Sequence, residues 1–191
     1  MIAAWLKEFL VAPPAAVGPI SNERSLQLEL AVGFREAGFQ VEFEKCLRVP
    51  RLHGSTLKPK INLDLFVTMD GKRYAVELKV PVNGQHPETM YAFCADIEFV
   101  EAIVRAGEAD SGVALMLTDD DVFWRDSGRG SWIHNHFRVA GLPVTGPIQR
   151  PTGAKDSRVV LAGIYDIASC WGPICSDRLL PESRCLIVEV A

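Results

Sequence analysis

The sequence predicts an α/β protein, a three-layer α/β/α sandwich around a mixed central sheet. Three observations carry that reading. Residues 61–81, INLDLFVTMDGKRYAVELKVP, are two alternating runs that meet at Asp70-Gly71. Asp-Gly between alternating apolar residues marks a tight β-hairpin, because a type I′ turn needs positive φ at both central positions. Residues 88–106 place Met90, Phe93, Cys94, Ile97, Val100 and Val104 at helical spacing and lead into the apolar run GVALMLT at 112–118. A strand, a helix and a buried strand in succession indicate a crossover to a parallel neighbour. Before the hairpin, Leu26, Leu30, Gly33, Phe34 and Ala37 make one helical stripe, which supplies a helix for the other layer.

The remaining elements follow in order. Residues 1–11, MIAAWLKEFLV, form a short amphipathic helix stopped by Pro13-Pro14. Ser21 or Asn22 caps the second helix, and Gly38 follows its last turn. Residues 39–49 alternate as a half-buried strand, and 51–59 are a polar loop. Residues 81–87 turn the chain, with Pro87 suited to a helix start. Asp119, Asp120 and Asp121 read as a turn or helix start, where acids suit the dipole. Residues 123–155 combine Arg, Gly and Pro with Trp124, Trp132, His134, His136 and Phe137. Such a segment either contacts nucleic acid by charge and stacking or folds back on the core. Residues 158–167 and 185–190 read as late strands extending the sheet. The expected organisation is one domain over 1–191: a helix and loop at 1–20, a core at 21–120, a loop-rich insertion at 121–157 and C-terminal strands at 158–191.

The chain has 191 residues, 48% of them hydrophobic, and a net charge of −4. That charge excludes coating of nucleic acid by bulk attraction but not a local basic groove. Cys46, Cys94, Cys170, Cys175 and Cys185 show no CxxC spacing, so reduced thiols are expected in place of disulfides or structural zinc. With no basic leader and no apolar run of spanning length, a cytoplasmic location is expected.

The Asp70-Gly71 turn sets the hairpin register. Leu63 should face Leu78, Leu65 face Val76, and Val67 face Tyr74, all on one core face. On the other face Asp64 should oppose Glu77, and Asn62 oppose Lys79. Two carboxylates directly across a strand pair repel, and a divalent cation offsets that repulsion. Mg²⁺ is held by one or two carboxylates plus phosphate and water. Lys79, two residues from Glu77, shares its face and suits water orientation or phosphoryl charge.

These residues carry a resemblance. Leu-Asp, twelve intervening residues and Glu-Leu-Lys resemble the PD-(D/E)XK nuclease superfamily, the restriction-endonuclease-like fold, over roughly residues 21–120. The usual Pro before the Asp is replaced by Leu63. The resemblance implies a metal-dependent endonuclease that cleaves phosphodiester bonds to a 5′-phosphate and a 3′-hydroxyl. Asp64 and Glu77 would hold Mg²⁺ or Mn²⁺ with the carbonyl of Leu78, and Lys79 would serve the attacking water or the phosphoryl charge. Glu29, at the edge of its helical stripe, would be the supporting helix carboxylate, with Glu36 as competitor. Lys45, Arg48, Arg51, Lys58 and Lys60, clustered before the hairpin, are candidate phosphate contacts. Gln85 and His86 could lie at the rim of the cleft or cap the helix. DNA is the expected substrate, with a homodimer or a larger restriction, repair or defence complex as partners. The alternative is a silent or partner-dependent nucleic-acid-binding or structural protein of the same fold.

Overall fold

The computed structural model describes residues 2–82, 84–153, 156–174 and 182–191. Cys175 and Lys155 lie outside the described residues. The chain runs α1 (Ile2–Val11), α2 (Glu23–Glu36), β1 (Gln40–Cys46), β2 (Asn62–Met69), β3 (Lys72–Lys79), α3 (His86–Arg105) and β4 (Ser111–Thr118). It continues through α4 (Trp132–Arg138), β5 (Val144–Gln149), β6 (Arg158–Tyr165), β7 (Trp171–Pro173) and β8 (Arg184–Val190). Among the described residues, six strands form a mixed sheet in the order β1-β2-β3-β4-β8-β7. Only β3 and β4 are parallel; the other neighbours are antiparallel. No helix among the described residues is long and apolar enough to cross a membrane.

Local chemistry explains the elements that set the frame. Asp70 and Gly71 have φ of 51° and 74°, so the hairpin turns as its sequence requires. The register holds Leu65 opposite Val76 and Val67 opposite Tyr74. Asn22 caps α2 by accepting the Ser25 N–H, while Ser25 Oγ accepts the Asn22 N–H. This reciprocal box satisfies two donors that the helix start would otherwise leave open. Pro87 sits in the first turn of α3, where its missing N–H costs nothing.

Two cores flank the sheet. On one side α1 and α2 bury Leu6, Leu26, Leu30 and Phe34 against Leu65, Val67, Val76 and Leu78. Gly33 permits the close approach of α1, since a Cβ there would stand 2.4 Å from the Phe9 ring. On the other side α3 buries Phe93, Ile97, Phe99 and Val100 against Phe66, Ala75, Ala114 and Met116. Each such side chain contributes about 1.5–3 kcal/mol when fully removed from water.

The structure corrects several expectations. β6 does not extend the central sheet. It pairs with β5 in a separate two-stranded sheet, which lies along α3 through a Glu101 carboxylate bound to Ala162 and Gly163. Residues 121–157 are accordingly more than loop: they supply α4 and β5, and Ile133, Phe137, Val144 and Ile148 enter the α3-side core. β1 is a mostly exposed edge rather than a half-buried strand. Leu63 packs on the α3 side, away from Leu65 and Val67. The regular ladder to β3 runs only as far as Leu65–Val76, so strict alternation no longer governs Leu63.

Candidate active site

Where that ladder stops, β2 and β3 open. The Asp64 carboxylate accepts the Leu78 N–H at 2.7 Å. A side chain thus takes a backbone donor, and Asp64 is fixed between the two strands. Gln27, one helical turn after Glu23 in α2, donates to the Asp64 carbonyl at 2.8 Å and to Glu44 Oε1 at 3.2 Å. Glu44 lies on β1 with a φ of 46°, a left-handed conformation that a glutamate rarely adopts.

Glu77 points from β3 toward α3 and is 1% exposed. There it meets Asp96 of α3 and Lys60 of the loop before β2. The Lys60 ammonium lies 2.5 Å from Glu77 Oε2 and 2.9 Å from Asp96 Oδ1. Lys79 Nζ lies 3.2 Å from Asp96 Oδ2 and 3.8 Å from Glu23 Oε2. The chain of charges therefore runs Glu77, Lys60, Asp96, Lys79, Glu23, with the Asp64 carboxyl interacting with Glu77.

Burial, then the neighbouring Asp96 charge, pushes the Glu77 carboxyl well above the usual carboxylate range, against the pull of Lys60. Asp64 is raised by burial, which outweighs its bond from Leu78. Glu23 is raised by burial, which outweighs the attraction of Lys79. Both ammoniums are held charged. Burial works against Lys60 and Lys79, but Asp96, helped by Glu77 for one and Glu23 for the other, raises both. Four carboxylates against two ammoniums leave two negative charges when all are ionised. Glu77 Oε1 is buried, and no hydrogen-bond donor among the described residues reaches it. Two buried carboxyls side by side must share a proton or a cation.

The donors fit a hard divalent ion in kind. Among the described residues, no three His, Cys, Asp or Glu side chains converge as a ready-made cage. A cation here would take one or two carboxylates and complete its shell with water and phosphate, as Mg²⁺ commonly does. An open cleft of about 450 Å³ adjoins Asp64, lined by Glu23, Arg24, Gln27, Lys60 and Asn62. A larger, more apolar groove of about 560 Å³ lies at α1, β7 and β8 and includes none of these groups.

Four residues named from the sequence are brought together: Asp64, Glu77, Lys79 and, from the basic cluster, Lys60. Leu78 contributes its N–H to Asp64, while its side chain is buried on the α1–α2 side. Glu29 is not at the site. It lies on another flank of α2, beside Gly18 and near Pro14, Ala16 and Val17; Glu23 is the helix carboxylate that approaches Lys79. Glu36 borders that same pocket on the α1 side. Of the basic cluster, Arg51 is a structural residue, since it pairs with buried Glu98 at 3.1 Å. Lys60 points inward to the acids. Lys45 pairs with Glu42 at 2.8 Å and covers the Phe66 ring. Arg48 and Lys58 are exposed. His86 bonds to Asp120 at 2.6 Å, Asp120 caps the turn at Val122, and Asp121 pairs with Arg125. His134 serves as the capping partner of Ser131.

Asp96, Glu23 and Gln27 had no place in the sequence-based site. A signal for Asp96 existed. α3 is apolar around most of its surface, so its carboxylates had to be buried, and a buried carboxylate requires partners. Compared with known proteins, the chain matches no family model, no curated protein and no solved structure.

Proposed function

We propose that this protein is a metal-dependent nuclease with a restriction-endonuclease-like architecture, hydrolysing phosphodiester bonds in DNA. The observation that carries the reading is the acidic cluster around buried Glu77 and Asp96, four carboxyls to two ammoniums, set where β2 and β3 part beside an open cleft. The mixed sheet and the grouping of Asp64, Glu77 and Lys79 support the resemblance to the PD-(D/E)XK superfamily. Asp64 and Glu77 would hold Mg²⁺ or Mn²⁺. When bound, the ion supplies Lewis acidity and a more acidic water.

The chain's own groups do the rest. Lys79, kept charged by Asp96 and Glu23, steadies the attacking water or the charge that grows on the phosphoryl oxygens. Asp96 acts through Lys79 and Lys60 and is a positioning residue. Gln27 holds the Asp64 backbone in place. Arg24, on the wall of the cleft, receives a phosphate of the strand. Cleavage leaves a 5′-phosphate and a 3′-hydroxyl.

A second reading rests on Lys60, whose ammonium already satisfies one oxygen each of Glu77 and Asp96. A nucleic-acid-binding or structural protein without turnover, or a subunit awaiting a partner in a restriction, repair or defence complex, would keep such a pair. Cleavage of plasmid, linear, branched and single-stranded DNA, and of RNA, with Mg²⁺ or Mn²⁺ separates the two. Wild type should cleave, and Lys79→Ala and Glu77→Ala should lose about 100-fold or more of the rate. Equal cleavage by all three would overturn the assignment, and silence across the panel would favour the second reading.

A further inference from the structure

Lys60 occupies an unusual place. It belongs to the loop before β2, yet its ammonium sits between Glu77 and Asp96 at 2.5 and 2.9 Å. Its side chain retains 32% exposure and lines the open cleft together with Arg24, Gln27 and Asn62. Its inner end is therefore bound to acids, while its flank faces solvent. Glu77 Oε1, beside that ammonium, is buried without a donor among the described residues.

We propose that Lys60 is the resident counter-cation of this site, and that a divalent metal binds by displacing its ammonium from Glu77 toward the cleft. This rests on the reading of Asp64 and Glu77 as a metal centre. A divalent ion at the Glu77 carboxylate would stand within a few ångströms of the Lys60 nitrogen, and like charges that close in a poorly screened interior repel strongly. Of the two cations the lysine is the one with somewhere to go: its exposed flank opens on the cleft, so it can swing without unfolding a strand. The move keeps Lys60 inside the site, where four carboxyls stand against two ammoniums, so the metal adds positive charge to an acid-rich cluster. In the cleft the freed ammonium meets the next anion to arrive, a phosphate of the substrate. Metal binding and phosphate binding are then coupled through one side chain, and such coupling is reciprocal.

The test needs no catalysis. Purified protein, stripped of metal, is titrated with Mn²⁺ by calorimetry as wild type, Lys60→Met and Lys58→Met. Met keeps most of the apolar stem, and Lys58 is an exposed lysine of the same loop that controls for charge alone. Lys60→Met should bind Mn²⁺ about tenfold more tightly than wild type, and Lys58→Met nearly as wild type does. In parallel, wild-type lysines are acetylated with and without Mn²⁺ and quantified by mass spectrometry. Lys60 should be shielded in the metal-free protein and become severalfold more reactive with Mn²⁺, relative to Lys58 in the same sample. Unchanged Lys60 labelling in a protein that binds Mn²⁺ overturns the displacement, whether or not Lys60→Met folds, and leaves the metal centre standing. Absence of Mn²⁺ binding by wild type and both variants overturns the metal centre, and the displacement with it.

Discussion

Glu101 and Glu77 are both buried carboxylates at the interface of α3 with a sheet. Glu101 accepts the Ala162 N–H at 2.9 Å, the Gly163 N–H at 2.6 Å and the Tyr165 hydroxyl at 2.8 Å. Its charge is matched by three donors, and it ties β6 to the helix. Glu77 accepts one ammonium, faces Asp96 and Asp64, and keeps an oxygen that no donor among the described residues reaches. The same residue type, buried to a similar depth, has become a rivet in one place and an electrostatic liability in the other. A buried polar group without its partners costs stability, and under the proposed function a divalent cation would complete this one. On that reading the surplus of carboxyls over ammoniums, rather than burial alone, distinguishes the candidate site.

The comparison is broken most forcefully at Glu101. Glu101→Ala strands three donors and should lower the unfolding free energy by about 3 kcal/mol, read from urea denaturation. Glu77→Gln in chelator at neutral pH should leave stability unchanged or raise it, because it removes a charge that burial and two neighbouring acids disfavour. Equal losses from the two substitutions would erase the distinction.

A smaller effect follows from pH. Folding raises the proton affinity of Glu77, Asp64 and Glu23 above the unfolded values. Their protonated forms therefore favour the folded state, fully so below the ordinary carboxylate range. In metal-free protein that stabilisation is lost as pH rises from about 4 through the folded-state values. Denaturation midpoints across this window should fall with rising pH, and Glu77→Gln should flatten the slope. Lys60 and Lys79, raised in turn, lose their contribution only above the ordinary lysine range.

Much of this was legible in the sequence. Asp70-Gly71 determines the hairpin and its register as far as Leu65–Val76; beyond it the Asp64 side chain, accepting the Leu78 N–H, sets the site. The apolar run after α3 marks β4 as a buried parallel strand. Glu29 was misplaced for a geometric reason. At 100° per residue it stands 240° round the helix from Glu23, and a stripe does not reveal which flank meets the sheet opening and which the N-terminal loop. β6 was misassigned because alternation signals a strand but not its partner. Lys60 looked like a surface cation because a loop lysine has no periodicity from which to infer burial. Leu63 departs from its face because the Asp64 side chain, rather than a backbone group, answers the Leu78 N–H.

The most direct test of the central claim is metal-linked stability. Thermal unfolding of wild type and Glu77→Gln is followed at neutral pH in chelator and in saturating Mg²⁺. A ligand that binds only the folded state raises its midpoint. The account predicts that Mg²⁺ raises the wild-type midpoint and leaves Glu77→Gln nearly unmoved. A wild-type midpoint indifferent to Mg²⁺ would contradict it, and the cluster at the opening of β2 and β3 would then be an ion-pair network of the fold alone.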